Sequence, residues 1–399
     1  MPGRRGVGAL GVVGIAGVSL IGLVGQASAA PAVRAAPVAS APNRWRVVAS
    51  IPATGMRLVA LSRQSAWAFG AGFNNADPVD VYPAGLHWNG HRWTKVSFPK
   101  SISTDEIGCA GASSAANALR APAVWAFAGS YATYIPPRAG GALRLVGGRW
   151  KLVKRFPAGI VGGCLVENPS DIWVFGDPFV LPGPGIGTWH LHGHAWAHVK
   201  TGGYTLGAAS AISADDVWAE GENSRQWPVH EWPVVAHWNG RTWARNTQLI
   251  RALGKVSANE WFLIGGINAI SRNDVWLRVF AVHNPLGKAT VSTLVRHWTG
   301  RTWQKVAPAD FGYYLPGAVR DGHGGWWADV LVNPLSQSEH TRLLHAVRGR
   351  WFGVPVSIRS CRSGEVGPLA PVPGSTSVLA VQECLGLDIA NVLLYGPRL

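Results

Sequence analysis

A tryptophan motif recurs along the chain at a nearly constant spacing, and this periodicity constrains the fold more than any other feature. The stretch HWNGRTW at 237–243 returns as HWTGRTW at 297–303 and as HWNGHRW at 87–93. The six steps from the first closing tryptophan to the last cover 306 residues, a mean period of 51. The closing tryptophans are Trp45, Trp93, Trp150, Trp196, Trp243, Trp303 and Trp351. A fixed period of this length predicts supersecondary units that stack on one another, with each tryptophan packed between neighbouring units.

Each unit reads as four short strands. A second signature precedes the motif, as in DIWVFGD at 171–177 and DDVWAEG at 215–221. In the fourth unit the predicted strands are TLGAASAIS, DDVWAEG, VVAHWNG and RTWARN, which are apolar runs broken by turn residues. Strands three and four are expected to join through Asn239-Gly240, since both residues of such a tight turn need positive φ. Four-stranded units at this period are typical of propeller blades.

The two ends of the chain predict how a ring of such units is completed. RWRVVASIP at 44–52 carries Trp45 in the closing position but stands alone, and the last unit stops one strand short at Leu399. Donation of the N-terminal strand to the last unit would leave no exposed sheet edge. We therefore predict an all-β fold over residues 44–399. It is a seven-bladed β-propeller of four-stranded blades, closed by the N-terminal strand that completes the last blade.

The DVWA…HWNG…W pattern of residues 44–399 resembles that of exported bacterial β-propellers. The hairpin NGRTW is also similar to the Asp-box turn of sialidase-type propellers, although the Ser-x-Asp that opens that box is absent. The Gly-Gly spacing of kelch repeats and the WD dipeptide are missing too. The resemblance implies a propeller fold and export, and it carries no catalytic residues.

The first 29 residues are predicted to be a signal peptide. Arg4 and Arg5 precede a glycine-rich apolar run, and ASA at 27–29 forms a small-residue cleavage site. An uncleaved membrane anchor is the alternative, because the run at 6–25 is almost long enough to span a bilayer. Residues 30–43 are expected to be a disordered Ala/Pro linker. No other segment suits a membrane span, so we predict a secreted, monomeric protein of the cell envelope.

The chain is strongly basic, which bears on its partners. Its formal net charge is +15, and loss of Arg4 and Arg5 with the signal peptide leaves +13. Outside the cell such a surface favours anionic polysaccharides or cell-wall polymers. A codon bias that favours arginine, as in high-GC genomes, would explain the positive charge equally well. The basic residues are scattered and no recognition motif is present, so nucleic acid is not expected as a partner.

The four cysteines are predicted to form two disulfides, as is common in exported proteins. Cys109 and Cys164 fall in the first strands of adjacent units, and Cys361 and Cys384 flank the last unit. Buried free thiols are the alternative. None of the cysteines has CxxC spacing, which gives no support to a metal or thioredoxin-type site.

The histidines raise the question of a metal site. His190 and His192 share one strand face in HLHGHAWAH at 190–198, and imidazole is a common ligand of zinc and copper. However, His190 holds the same repeat position as His237 and His297, and no Asp, Glu or Cys lies nearby in the sequence. Residues fixed by a repeat normally belong to the scaffold. We therefore predict structural histidines, no metal and no cofactor.

The loops between strands two and three carry the predicted ligand site. They are long and irregular, as in GFNNADPVDVYPAG and GENSRQWPVHEWP, and they lie together on one face of a propeller. The connection at 245–260 is long as well. Aromatic rings suit stacking on sugars and planar polar groups suit hydroxyls, although packing of the loops on one another is the alternative. The candidate ligand-binding residues are Tyr82, Tyr131, Tyr134, Arg138, Trp227, His230 and Trp232.

No catalytic motif accompanies this scaffold. GxSxG, Walker, dinucleotide and HExxH patterns are all missing from the sequence. A glycosidase needs two carboxylates that flank a bond, and the acids expected near first-strand entrances are Asp105, Glu106, Asp321 and Glu365. We expect an extracellular binding scaffold for envelope glycans or an extracellular protein. The alternatives are a glycoside hydrolase or polysaccharide lyase with acids at the central funnel, and a structural module without a small ligand.

Overall fold

The structure, a computed structural model, describes most of the chain from Trp45 to Gly396. The described residues are 45–74, 77–102, 104–113, 123–130, 138–177, 186–223, 233–254, 260–283, 290–306, 318–320, 325–331, 341–347, 350–354, 356, 361, 364–384 and 389–396. Within these ranges the chain forms twenty-seven β-strands and one short helix. The predicted signal peptide and linker lie outside the described residues. No described helix is long and apolar enough to cross a membrane.

The strands pair antiparallel in chain order, four to a unit. The first unit contains β1 (Arg46–Ser62), β2 (Ser65–Asn74), β3 (Asp77–Trp88) and β4 (Trp93–Lys95). The second contains β5 (Glu106–Ala112), β6 (Val124–Gly129), β7 (Ala139–Val146) and β8 (Arg149–Ala158). The third contains β9 (Ile160–Asn168), β10 (Asp171–Asp177), β11 (Thr188–His192) and β12 (Ala195–Val199).

The remaining units repeat this arrangement. The fourth contains β13 (Thr205–Ser213), β14 (Asp216–Glu222), β15 (Pro233–Trp238) and β16 (Trp243–Arg245). The fifth contains β17 (Glu260–Ser271), β18 (Asp274–His283), β19 (Thr290–Trp298) and β20 (Trp303–Val306). The sixth contains β21 (Val319–Arg320), β22 (Trp326–Leu331), β23 (Thr341–Val347) and β24 (Arg350–Val354). The last contains β25 (Gly364–Pro371), β26 (Val378–Cys384) and β27 (Ile389–Tyr395).

Strand β1 belongs to two units. Its first part, 46–52, pairs with β27, and its second part, 53–62, pairs with β2. The resulting seven-stranded sheet has the order β25-β26-β27-β1-β2-β3-β4. The N-terminal strand therefore supplies a fourth strand to the last unit and the first strand to the first unit.

The closing tryptophans Trp45, Trp150 and Trp243 pack against the preceding unit, as the repeat predicts. Trp150 of the second unit meets the rings of Trp67 and Phe69 edge-on, with centroids 5.5 Å apart in both cases. Trp243 of the fourth unit lies 5.1 Å from Trp173 of the third. Trp45 on β1 lies 5.6 Å from Trp327 of the sixth unit. These tryptophans are therefore scaffold residues that join neighbouring sheets.

The first strands of neighbouring units approach each other closely. A Cβ added at Gly163 of β9 would lie 2.1 Å from the backbone oxygen of Gly207 on β13, and one at Gly108 of β5 would lie 2.4 Å from the oxygen of Val161. A side chain at these positions would therefore separate the two strands. Glycine is required here by the packing of one unit against the next.

The hairpin between strands three and four differs from the predicted turn. In the fourth unit Trp238 pairs with Trp243, so four residues lie between the strands, and Gly240 has a φ of +88°. Asn239 contributes through its side chain, whose Oδ1 accepts hydrogen bonds of 3.0 Å from the backbone N–H groups of Arg241 and Thr242. The side chain of Asn239 thus satisfies two backbone N–H groups of the turn, and the turn is longer than the two residues predicted from the sequence.

Two predicted irregular connections contain regular structure. In the first unit β2 and β3 continue to Asn74 and from Asp77, so most of the predicted loop is a hairpin extension, favoured by its Val and Tyr residues. The connection at 245–260 includes helix α1 (Gln248–Leu253), whose Leu249 is buried between the fourth and fifth units. Burial of this leucine anchors a segment that lacks a strand pattern.

Both disulfides lie within this framework. Cys109 on β5 is bonded to Cys164 on β9, which links the first strands of two adjacent units. Cys361, just before β25, is bonded to Cys384 at the end of β26. The four cysteines thus form two disulfides, in agreement with the expectation from the sequence.

Candidate functional site

The repeated histidine of strand three stacks on the tryptophan of strand two. The two residues lie directly opposite each other in the register, and their ring centroids are 3.7–4.6 Å apart in five units. The pairs are Trp67–His87, Trp173–His190, Trp218–His237, Trp276–His297 and Trp327–His345. In the second unit the guanidinium of Arg144 lies over Trp125 at 5.4 Å and takes the place of the imidazole.

An aspartate completes this arrangement in the third, fourth and fifth units. It precedes the tryptophan by two residues and therefore lies on the same face of the strand. The aspartate Oδ1 lies within hydrogen-bond distance of the histidine Nε2, at 2.8, 2.7 and 2.8 Å. The pairs are Asp171–His190, Asp216–His237 and Asp274–His297. In these three units the aspartate and the histidine of the repeat therefore bond to each other, and Asp216 also accepts a hydrogen bond of 3.0 Å from Arg272 Nε of the fifth unit.

The first unit shows what happens without the aspartate. Ser65 occupies the aspartate position, and His87 stacks on Trp67 at 3.7 Å. Burial lowers the pKa of His87 below the ordinary value of an imidazole, because the charged imidazolium loses hydration there.

The third unit carries one additional histidine. His192 occupies the place of the hairpin asparagine, so Asp171, His190 and His192 each offer a ligand atom, and these atoms lie within 4.8 Å of one another. Asp171 and His190 are buried, at 4% and 8% exposure, whereas His192 is exposed. The role of Asp171 is not evident from the local sequence, because Asp171 precedes His190 by 19 residues. The cross-strand register of the D-x-W and HLH segments was the signal that could have found it.

A second carboxylate lies beside this group. Glu167 is the residue left out of the β9–β10 register, between Asn168, which pairs with Asp171, and Val166, which pairs with Ile172. The pKa of Glu167 is raised, first by burial and second by the negative charge of Asp171. The end of the third unit therefore concentrates negative charge around two imidazoles.

Tyr82 lies on the part of the molecule for which a ligand site was predicted. Its side chain is 41% exposed on β3, and it is paired across the strands with Gly72. A Cβ at Gly72 would lie 2.5 Å from the Tyr82 ring, so the ring covers the backbone where no side chain stands. One aromatic face is thereby supported by the sheet while the residue stays open to solvent.

Arg138 lies at the start of β7, at the same end of its unit. Its Nη1 lies 3.2 Å from Oδ1 of Asp105, which is 1% exposed, while the arginine side chain is 45% exposed. Its carbonyl oxygen accepts hydrogen bonds from Ser130 Oγ at 3.0 Å and from the N–H of Gly159 at 3.3 Å. The buried carboxylate contacts the guanidinium, and the hydrogen bonds to the carbonyl oxygen fix the main chain of Arg138. The other candidates, Tyr131, Tyr134, Trp227, His230 and Trp232, lie outside the described residues.

Of the acids considered for catalysis, Asp105 has a structural contact and Glu106 and Glu365 are placed by the strand register. Asp105 is paired with Arg138, and Glu106 begins β5. Glu365 lies opposite Glu383 in the β25–β26 register. Glu383 in turn accepts hydrogen bonds from Thr54 Oγ1 at 2.8 Å and from the N–H of Met56 at 3.0 Å, which ties the last unit to the first. Asp321 lies outside the described residues.

Comparisons with known proteins concern the fold. No protein-family model matches the chain, and no curated protein sequence is significantly similar to it. The GH74 xyloglucanase from Xanthomonas campestris is similar over 86% of this chain and 54% of that enzyme, with 15% identity and a TM-score of 0.52. This chain thus spans about half the length of the xyloglucanase.

Two further solved structures show the range of the likeness. The β-propeller domain of the Trilobed protease from Pyrococcus furiosus matches 85% of this chain and 94% of its own, with 9% identity and a TM-score of 0.46. The six-bladed Aleuria aurantia lectin matches 63% of this chain and 78% of its own, with 12% identity and a TM-score of 0.34. Both TM-scores lie below 0.5, so neither structure supports an argument about this chain, and the likeness to the xyloglucanase, at 15% identity, concerns the fold alone.

Proposed function

We propose that this protein is an exported binding scaffold that recognises anionic envelope polysaccharide through the face formed by the connections between strands two and three. The observation that carries the proposal is Tyr82, whose exposed ring lies over Gly72 on a rigid hairpin. A planar ring held in this way offers an apolar surface to the face of a sugar at little cost in conformational entropy.

Arg138 supports the choice of an anionic ligand. Asp105 engages one of its terminal nitrogens, and the rest of the exposed guanidinium can donate to a carboxylate or sulfate. The contact with Asp105 restrains the guanidinium in the free protein, while Ser130 and Gly159 hold the backbone carbonyl of Arg138, so part of the side-chain ordering precedes binding. The net charge of +13 that remains after loss of Arg4 and Arg5 would draw a polyanion toward the protein.

We further propose that the seven units close into one ring, with β1 completing the last blade. The β1–β27 pairing and the tryptophan contacts between consecutive units support this arrangement. Deletion of 45–52 should expose the edge of β27 and lower the thermal unfolding midpoint, whereas deletion of the predicted linker segment 31–42 should leave it unchanged. An unchanged midpoint after deletion of 45–52 would refute a ring held by this strand.

Export is supported by the two disulfides, because such bonds persist in oxidising compartments outside the cytosol. The N-terminal apolar run and cleavage site agree with this location. Mass spectrometry of protein secreted by a bacterial host would test it. A mature chain beginning near residue 30 is expected, and a chain that keeps residues 1–29 in the membrane fraction would contradict it.

The ligand is tested on a glycan array that includes uronic-acid, sulfated and neutral polymers, with release of reducing sugar assayed in parallel. Y82A and R138A are each expected to weaken binding to the best anionic polymer at least about tenfold, the loss for one removed stacking or charge-assisted contact. I270A is the matched control, because Ile270 is 42% exposed at the opposite end of a unit.

Three outcomes would decide against the proposal. If I270A weakened binding as much as Y82A, the binding surface would not be the predicted face. Release of reducing sugar from a bound polymer would favour the glycoside hydrolase or polysaccharide lyase instead. Binding of an extracellular protein, with no response from any polymer, would favour a protein-recognition scaffold.

A further inference from the structure

We propose that Asp171, His190 and His192 form a site for a divalent copper- or nickel-type ion at the turn end of the third unit. The site is independent of the proposed polysaccharide face, because strand ends that carry the hairpins between strands three and four lie opposite the connections between strands two and three. Its ligand set, two imidazoles and one carboxylate, suits divalent ions of intermediate softness.

The two atoms of the buried pair are close enough to bind one ion. His190 Nε2 and Asp171 Oδ1 are 2.8 Å apart. Metal–ligand bonds of about 2.0–2.1 Å place neighbouring ligands about 2.9 Å apart at right angles and about 3.4 Å apart in a tetrahedron. A similar distance joins the Asp216–His237 and Asp274–His297 pairs as a hydrogen bond, and an ion that replaces the shared proton requires the two atoms to move apart by at most about 0.6 Å. The ligand set of two imidazoles and one carboxylate, rather than this distance, favours Cu²⁺ and Ni²⁺.

The surroundings hold the first two ligands in position. Trp173 stacks on His190 with centroids 3.8 Å apart and planes 7° apart, and it fixes the imidazole ring. Coordination through Nε2 requires the tautomer that carries its proton on Nδ1, since Nε2 must offer its lone pair. Glu167 beside Asp171 adds a second negative charge that a dication would offset.

His192 makes the third unit different from its neighbours and opens the site to solvent. The aspartate–histidine pair is also present in the fourth unit, as Asp216 and His237, but Asn239 stands there at the position of His192. The imidazole centroids of His190 and His192 are 5.7 Å apart, and a rotation of the exposed His192 would bring its ring nitrogen to the ion. An ion can therefore enter from solvent and reach two buried ligands.

The fourth unit supplies the test variant. H192N gives the third hairpin the residue that the fourth unit already tolerates, so folding is expected to be preserved. H194N is the matched control, because His194 is exposed on the same hairpin but lies outside the Asp171–His190–His192 group. Full-length mature protein without a polyhistidine tag is treated with a chelator and titrated with Ni²⁺ by calorimetry at pH 7.

We expect one ion per chain in the wild type, an affinity at least about tenfold lower in H192N, and an affinity within about twofold of the wild type in H194N. Electron paramagnetic resonance with Cu²⁺ should show a tetragonal signal with two nitrogen ligands that loses one nitrogen in H192N. Equal affinity of H192N and wild type would overturn the proposal. So would an equal loss in H194N, because the ion would then be held by exposed hairpin histidines alone.

Discussion

Replacement of Trp173 by alanine tests whether the repeated motif holds the units together. Trp173 is fully buried, and its ring lies 3.8 Å from His190, 4.9 Å from Trp238 and 5.1 Å from Trp243. A buried Trp→Ala change costs about 3–5 kcal/mol, and aromatic pairs contribute about 0.5–1.5 kcal/mol each beyond their buried area. With three such neighbours, two of them in the next unit, the loss should reach the upper end, about 5 kcal/mol.

The fifth unit provides the comparison. Trp276 holds the same repeat position and stacks on His297 at 4.2 Å, but it is only partly buried. We expect W276A to cost about 2 kcal/mol, because Trp276 buries less apolar surface area than Trp173 does. Since a loss of 5 kcal/mol can unfold a domain outright, W173F is added, with an expected cost of about 1–2 kcal/mol.

The free energies of unfolding are measured by urea titration, followed by far-ultraviolet circular dichroism. The order of stability should be wild type, then W173F and W276A, then W173A, with an unchanged dependence on urea. If W173A and W276A lost the same free energy, the contacts between the third and fourth units would contribute nothing beyond the strand itself. That result would refute the argument that the tryptophans join the units.

Three further predictions concern other parts of the framework. C109A/C164A should lower the free energy of unfolding by about 4 kcal/mol and C361A/C384A by about 3 kcal/mol in urea titrations. The first loss is larger because that disulfide closes a segment of 55 residues and the second closes one of 23. The opposite order would contradict an effect on the entropy of the unfolded chain. Because the folded pKa of His87 is lowered, the unfolded chain binds more protons below pH 6.5, and stability should fall as the pH drops through that value. H87Q should reduce this dependence, and S65D should raise the His87 pKa in an NMR titration; an unchanged pKa would show that the introduced carboxylate does not pair with His87. G221A should lower the thermal midpoint strongly, since its Cβ would lie 1.8 Å from the Thr205 oxygen, whereas G353A, with nothing within 4 Å, should change it little.

The sequence predicted regular strands well because the repeat made them visible. The fourth unit has its four strands at Thr205–Ser213, Asp216–Glu222, Pro233–Trp238 and Trp243–Arg245, close to the four segments quoted for it. Continuous apolar runs and a fixed spacing act together there, so an error in one unit would disagree with the others. Local features without a repeat were predicted less well, since α1 depends on the burial of Leu249 by residues of other strands.

The candidate sites show the same limit. Aromatic and basic residues could be chosen from the loops, but only the structure places Tyr82 over Gly72 and Arg138 beside Asp105. The histidine cluster was visible in the sequence, whereas its carboxylate was not, because the register of β10 and β11 determines that contact. Contacts between strands depend on their register, and a single sequence predicts the register only where the length and type of the connecting turn can be recognised.

The two pairings of β1 have a consequence for the time course of synthesis. Ser50 on this strand bonds to Asn391, 341 residues later. At about 5–20 residues per second, a ribosome needs roughly 20–70 s after the synthesis of β1 to reach its partner β27. Through that interval the first part of β1 keeps an open edge, to which the β27 of another copy could add. Slow or interrupted synthesis should therefore yield strand-swapped oligomers. Once β27 of the same chain has paired with β1, this edge is no longer open to another copy.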